Sequence, residues 1–193
     1  MSATETTIER IGDWMQTRSG IRFYPFDPRP EEVHIEDIAA ALSKICRFNG
    51  HCREFYSVAE HSVRVSRICD PQDALWGLLH DAAEAYVGDM VRPIKRHQQL
   101  GAYRETEYEV MEAIIARFSL SHEGIWAHEM PYSVKLADEV MLATEARDLM
   151  DVRDWDSYSE LVVKALPVPV VCWSAANAEQ QFLRRFRELT EGE

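Results

Sequence analysis

The sequence is short of three things. Lys and Arg number 21 against 33 Asp and Glu, a formal charge of −12. Binding along DNA or RNA relies on clustered cations, so long nucleic acid is excluded as a partner. No stretch approaches the roughly 20 apolar residues that a membrane-spanning helix needs. The opening residues MSATETTIER lack the basic and apolar regions of a secretory signal. Cysteine is sparse, and Cys46, Cys52, Cys69 and Cys172 show no CxxC spacing, so each reads as a small core residue in a reducing, cytoplasmic setting. No internal repeat, low-complexity tract or linker interrupts the chain, and its 193 residues read as a single domain over 1–193 with ordinary globular composition.

What is present is helical periodicity. Apolar residues recur at helical spacing over Thr6–Gln16, Ile35–Ile45, Ser57–Cys69, Tyr103–Phe118, Ser133–Met150 and Ala175–Leu189. Pro71, capped by Asp70, starts a further helix that runs into His80-Asp81. Two stretches resist a helical reading. IRFYPFDPRPEE holds three prolines and alternating apolar residues, which favours extended chain and a short strand pair. VVKALPVPVVCW is β-branched but broken by two prolines, and reads as an extended cover before the last helix. The fold class predicted is an all-α helical bundle with these two short extended segments.

The chemistry concentrates in LLHDAAEAYVGDMVRPIK, from Leu78 to Lys95. His80 and Asp81 lie inside an apolar run, where polar groups are costly to bury without a partner. A metal ion removes that cost. Glu84 follows one turn later, so the three side chains converge on one side of a helix. Gly88 ends that helix, Asp89 follows it, and Pro93 sets an extended or turning backbone toward Lys95. His61 sits among core positions of its own helix, and Asp138 lies in an apolar stripe with Glu145 two turns further on. Two imidazoles and two carboxylates from three helices suit one divalent ion, Mn, Co, Fe or Ni more than Zn.

These residues resemble a known family. Glu60-His61-Ser62, then His80-Asp81-Ala82-Ala83-Glu84 with Gly88-Asp89, Pro93 and Lys95, then Ala137-Asp138-Glu139, are similar to the H…HD…D signature of the HD superfamily of metal-dependent phosphohydrolases. The spacing HDxxExxxxD with a following PxK resembles the HD-type 5′-deoxynucleotidases and the small phage and bacterial HD phosphohydrolases that act on dATP. The likeness runs from about Arg47 to Met150, and such an ordered match is far more specific than an isolated HD pair.

The resemblance implies an HD helical bundle in which His61, His80, Asp81 and Asp138 bind the metal. It implies that Glu84 and Asp89 position and deprotonate the attacking water, and that Arg47 meets the substrate phosphate. Phe48 stands where the deoxynucleotidases usually carry Trp. His51 is a second candidate phosphate donor and Lys95 a further substrate contact, each with a competing reading as a turn residue or a surface charge. The expected partner is a small phosphorylated substrate, a deoxynucleotide mono- or triphosphate. Arg53, Arg92, Lys95 and Arg96 are the nearest cations for a longer phosphate chain. Homo-oligomerisation is left open.

Two other classes compete. In a dinuclear iron oxygenase of the HD type, His97, His122 or His128 would supply further ligands, although their polar surroundings favour solvated histidines. A metal-stabilised nucleotide-binding module without turnover would need no Glu84 or Asp89. For Arg47 the competing structural reading is an ion pair with Glu84 or Asp81.

Overall fold

A computed structural model describes residues 9–120, 129–151 and 164–192. Its described elements are almost all helical, and the fold is all-α with a two-stranded antiparallel ribbon. The ribbon pairs β1 (Met15–Gln16) with β2 (Arg22–Phe23). The helices are α1 (Ile35–Leu42), α2 (Val58–Ile68), α3 (Ala74–Leu79), α4 (Glu84–Val87), α5 (Arg92–Lys95), α6 (Gly101–Phe118), α7 (Tyr132–Leu149) and α8 (Ala175–Thr190). Among the described residues no helix is long and apolar enough to cross a membrane.

At the centre is α2, packed against α3, α7 and α8. Ser57 caps it by accepting from the Glu60 amide at 3.1 Å, which satisfies one of the free N–H groups of the first turn. Val58, Ala59, Val63 and Val65 are buried in the core with Leu78 and Leu79 of α3, Ile114 of α6, Val134 of α7 and Phe182 of α8. A helix enclosed on several sides can hold a polar side chain only if that side chain is paired. Such is the setting of His61.

Three expectations need correction. The amphipathic helix over Thr6–Gln16 is not there: within the described residues Gly12 has φ +78, a conformation outside any right-handed helix, and Met15–Gln16 pair with β2. A Cβ at Gly12 would stand 3.0 Å from the Phe26 ring. Of the apolar residues at helical spacing, Ile11 and Trp14 are exposed and Met15 lies in the ribbon; Phe23 of β2 stacks on Tyr86 at 3.9 Å, and Arg10 binds Asp27 and Glu32. Strand pairing in this region is as expected, but β2 finds its partner upstream.

The helix into His80-Asp81 is broken. Pro71–Asp73 form a 3-10 turn without a side-chain cap from Asp70, and α3 stops at Leu79. Four residues of turn follow, with i→i+3 bonds from Ala82 to Leu79 and from Glu84 to Asp81, before α4 begins. The third correction concerns Pro93, which sits in the first turn of the short helix α5, where its missing N–H costs nothing.

The described part of the proline-rich segment before α8, from residue 164, has neither helix nor strand. It is pinned by side chains of the bundle. Thr144 Oγ1 accepts from the Leu166 amide, Asp148 from Val170, and Glu60 Oε2 from Trp173 at 2.8 Å. It covers the bundle, as expected.

Candidate metal centre and cavity

Gly77 lets α3 approach α2 so closely that a Cβ there would stand 2.8 Å from Cys69 Sγ and 3.0 Å from Ser66 Cα. That approach, with the turn after α3, brings His80 and Asp81 beside His61. The imidazoles lie 5.3 Å apart. His61, His80 and Asp81 form a group that can hold a metal ion.

Each imidazole is oriented from behind. His80 Nδ1 lies 2.8 Å from the Gly77 carbonyl oxygen, to which it donates, and His61 Nδ1 lies 2.6 Å from Glu145 Oε1. With Nδ1 of each ring held by an acceptor, Nε2 is the ring nitrogen left for a cation. Both Nε2 atoms are buried and make no hydrogen bond among the described residues. Nitrogens so placed among carboxylates are satisfied either by a proton or by a cation. Around them, Asp81 Oδ2 lies 3.2 Å from His80 Nε2 and 3.8 Å from His61 Nε2, while Asp138 Oδ1 lies 3.1 Å from His61 Nε2.

The two carboxylates retain 21 and 22% of their side-chain exposure, whereas the histidines retain 0 and 1%. The acids therefore border a cavity of about 710 Å³, and His61 lies behind them, within 3.8 Å of both. The cavity is lined by Arg47, Phe48, His51, His80, Asp81, Glu84, Asp89, Lys95 and Asp138. All ten site residues expected from the sequence thus meet in one place, nine at the wall and His61 behind it. Of the additional cations, Arg92 also lines the cavity, whereas Arg53 is exposed near Asp151. His97 is exposed and caps the turn at Gln99. His122 and His128 lie outside the described residues.

Arg47 is placed by its loop. The Arg47 amide donates to the Tyr56 carbonyl and the Val58 amide to that of Ile45, closing the segment at both ends, and Arg53 donates to Leu149 at the end of α7. Inside it Phe48 and Asn49 are left-handed, with φ 56 and 54. The Phe48 ring lies under the Arg47 guanidinium, 5.5 Å from centroid to Cζ. Arg47 Nε donates to Glu145 Oε2 at 3.1 Å, and Nη1 lies 3.5 Å from Asp81 Oδ2. Its structural pairing with Asp81 is as weighed from the sequence; the expected alternative Glu84 is replaced by Glu145.

The electrostatics divide the carboxylates into two sets. Burial opposes charge on Asp81, but His80, His61 and Arg47 outweigh it and hold this acid well below its ordinary range. Asp138 is likewise lowered against its burial, by His61, to about 2. Glu84 behaves oppositely: burial, then the neighbouring Asp81 and Asp89, push it well above the carboxylate range. Asp89 is raised, chiefly by burial. His61 is pulled down by burial and by Arg47, yet Glu145 and Asp138 prevail and lift it to about 9. Lys95 is lowered by burial but raised overall by Glu107, which accepts from its ammonium at 2.7 Å.

Sequence reasoning missed the part played by Glu145 and Tyr56. Glu145 is fully buried. It accepts from Tyr56 Oη at 2.8 Å as well as from His61 and Arg47. Its place two turns after Asp138 on the same face was the available signal, since that spacing makes α7 present both acids to one histidine.

No protein-family model matches the sequence. The chain is 36% identical over 179 residues to Uncharacterized protein YfdR of Escherichia coli strain K12, covering 92% of this chain and 96% of that protein. It is 34% identical over 145 residues to Uncharacterized protein RCAP_rcc00048 of Rhodobacter capsulatus, covering 70% of this chain and 72% of that one. At these identities and coverages, the chain belongs to the family that includes these two bacterial proteins.

Proposed function

We propose that this chain is a divalent-metal-dependent phosphohydrolase of the HD type that cleaves the 5′-phosphate, as mono- or triphosphate, from a deoxynucleotide. The observation that carries this reading is the convergence of the buried Nε2 atoms of His61 and His80, which make no hydrogen bond among the described residues, on the carboxylates of Asp81 and Asp138 beside a cavity. Two nitrogens and two carboxylate oxygens suit a Mn, Fe, Co or Ni ion, with Zn less typical.

His61, His80, Asp81 and Asp138 would hold the divalent ion, which when bound would supply Lewis acidity for a phosphoryl oxygen and for water and would offset part of the negative charge beside Glu84. The remaining work falls to the protein. Arg47, fixed through Nε, backed by Phe48 and standing at the cavity wall, orients a phosphate. Phe48, His51 and Lys95 are the further substrate contacts. Glu84 has one oxygen, Oε2, buried without a hydrogen bond among the described residues. Burial and the nearby acids favour its neutral form, so Glu84 would take a proton from the attacking water only as the carboxylate, the form that a cation on the neighbouring donors would favour. Asp89 orients that water. Hydrolysis joins water oxygen to phosphorus and breaks one P–O bond, and the leaving oxygen takes up a proton.

The test is product identity. Metal-stripped chain is reconstituted with Mn, Co, Fe, Ni or Zn and offered deoxy- and ribonucleoside mono- and triphosphates. Orthophosphate from a deoxynucleoside monophosphate, or intact tripolyphosphate from a triphosphate, is expected. Absence of a phosphate product with every metal and substrate pair would refute the reading.

A further inference from the structure

We infer that Glu145 is a positioning residue that couples cation binding to phosphate binding; this rests on the assignment of His61 as a ligand and Arg47 as the phosphate contact. The two sites share one carboxylate. Oε1 accepts hydrogen bonds from His61 Nδ1 at 2.6 Å and the Tyr56 hydroxyl at 2.8 Å, while Oε2 accepts one from Arg47 Nε at 3.1 Å. His61 and Arg47 come from α2 and the preceding loop, and Glu145 from α7.

Burying a carboxylate completely is expensive, and apolar side chains of similar volume commonly stabilise a fold as well or better. Stability alone therefore gives no reason for a charge at this position. Orientation does. One oxygen fixes the His61 tautomer that leaves Nε2 free for a cation. The other holds the guanidinium through Nε, with Nη1 3.5 Å from Asp81 Oδ2 and the residue at the cavity wall. Ordering either partner holds the carboxylate for the other, and such coupling is reciprocal.

The proposal is tested by calorimetric titration of the full chain, without turnover. Mn(II) is titrated into metal-free protein, and orthophosphate into the Mn(II)-loaded protein, for the parent, Glu145→Gln, Arg47→Lys and the double variant. Glu145→Gln is expected to weaken Mn(II) by about 10–100-fold and to weaken orthophosphate as well. Arg47→Lys is expected to weaken orthophosphate strongly in the parent but far less beside Glu145→Gln, because the guanidinium is already misplaced there.

A purely structural Glu145 would lower the melting temperature while leaving Mn(II) affinity within about twofold and the two substitutions additive on orthophosphate; that result overturns the proposal. If Glu145→Gln does not fold, Glu145→Asp keeps the charge but cannot span both partners. It is read by the same criteria. A parent that binds Mn(II) and orthophosphate with a non-additive cycle, yet hydrolyses nothing, would refute the phosphohydrolase reading and leave this coupling standing.

Discussion

His61 has a carboxylate at each ring nitrogen, Glu145 at Nδ1 and Asp138 at Nε2. The consequence is a proton that a cation must displace. His61 is lifted to about 9 by those two acids against burial and Arg47, so below that pH the imidazole is protonated and competes with metal. Mn(II) affinity should therefore climb as pH rises from 6.5 toward 9 and level off above it. Calorimetry across that range checks the sign, and an affinity that is flat or falls with pH would contradict it. The candidate group His61, His80 and Asp81 was legible in the sequence because each is a polar residue in an apolar setting. The role of Glu145 was not, because its partners are 84 and 98 positions away and only folding brings them together.

At the scale of elements, the approach of α3 to α2 sets where His80 and Asp81 stand. Gly77 is the contact that permits it. Gly77→Ala places a methyl group 3.0 Å from Ser66 Cα, backbone that cannot rotate away, and should destabilise the chain by about 1–3 kcal/mol. For a chain of this length each kcal/mol lowers the melting temperature by roughly 2–4 °C. Thermal unfolding of the metal-free protein measures it, and an unchanged midpoint would show that α2 and α3 separate easily.

The long helices were legible element by element: α1, α2, α6, α7 and α8 fall within a few residues of the expected spans, because their apolar stripes meet the core. The errors share a cause. Near Gly12, a positive φ and the pairing with β2 prevail over helical spacing. At residues 80–83, turns replace the helix that local periodicity implied. Both outcomes depend on tertiary contacts that a local pattern does not contain.

For the whole molecule, a chain of net charge −12 gathers four acids at one cavity and sets against them Arg47, Lys95 and Arg92. Each of these cations is paired with a carboxylate, from Glu145, Glu107 and Glu139 respectively. An excess of negative charge at a cavity repels a phosphate and attracts a cation. Electrostatics thus favour an order of binding, cation before phosphate. The all-α architecture was legible from the pattern of apolar residues, and so was the gathering of ten site residues, since the histidines and acids came in an ordered set. Cavity shape was not legible, because its walls come from separate loops and helices.

The measurement that bears most directly on the central claim is metal content and phosphate release, determined together on the parent, Asp81→Ala and Glu84→Gln. Asp81→Ala should lose both metal and turnover. Glu84→Gln should keep its metal and lose turnover by about 100-fold or more. A Glu84→Gln variant that works at the parent rate, or an Asp81→Ala variant that keeps both, would contradict the division between a metal-holding floor and a proton-carrying wall.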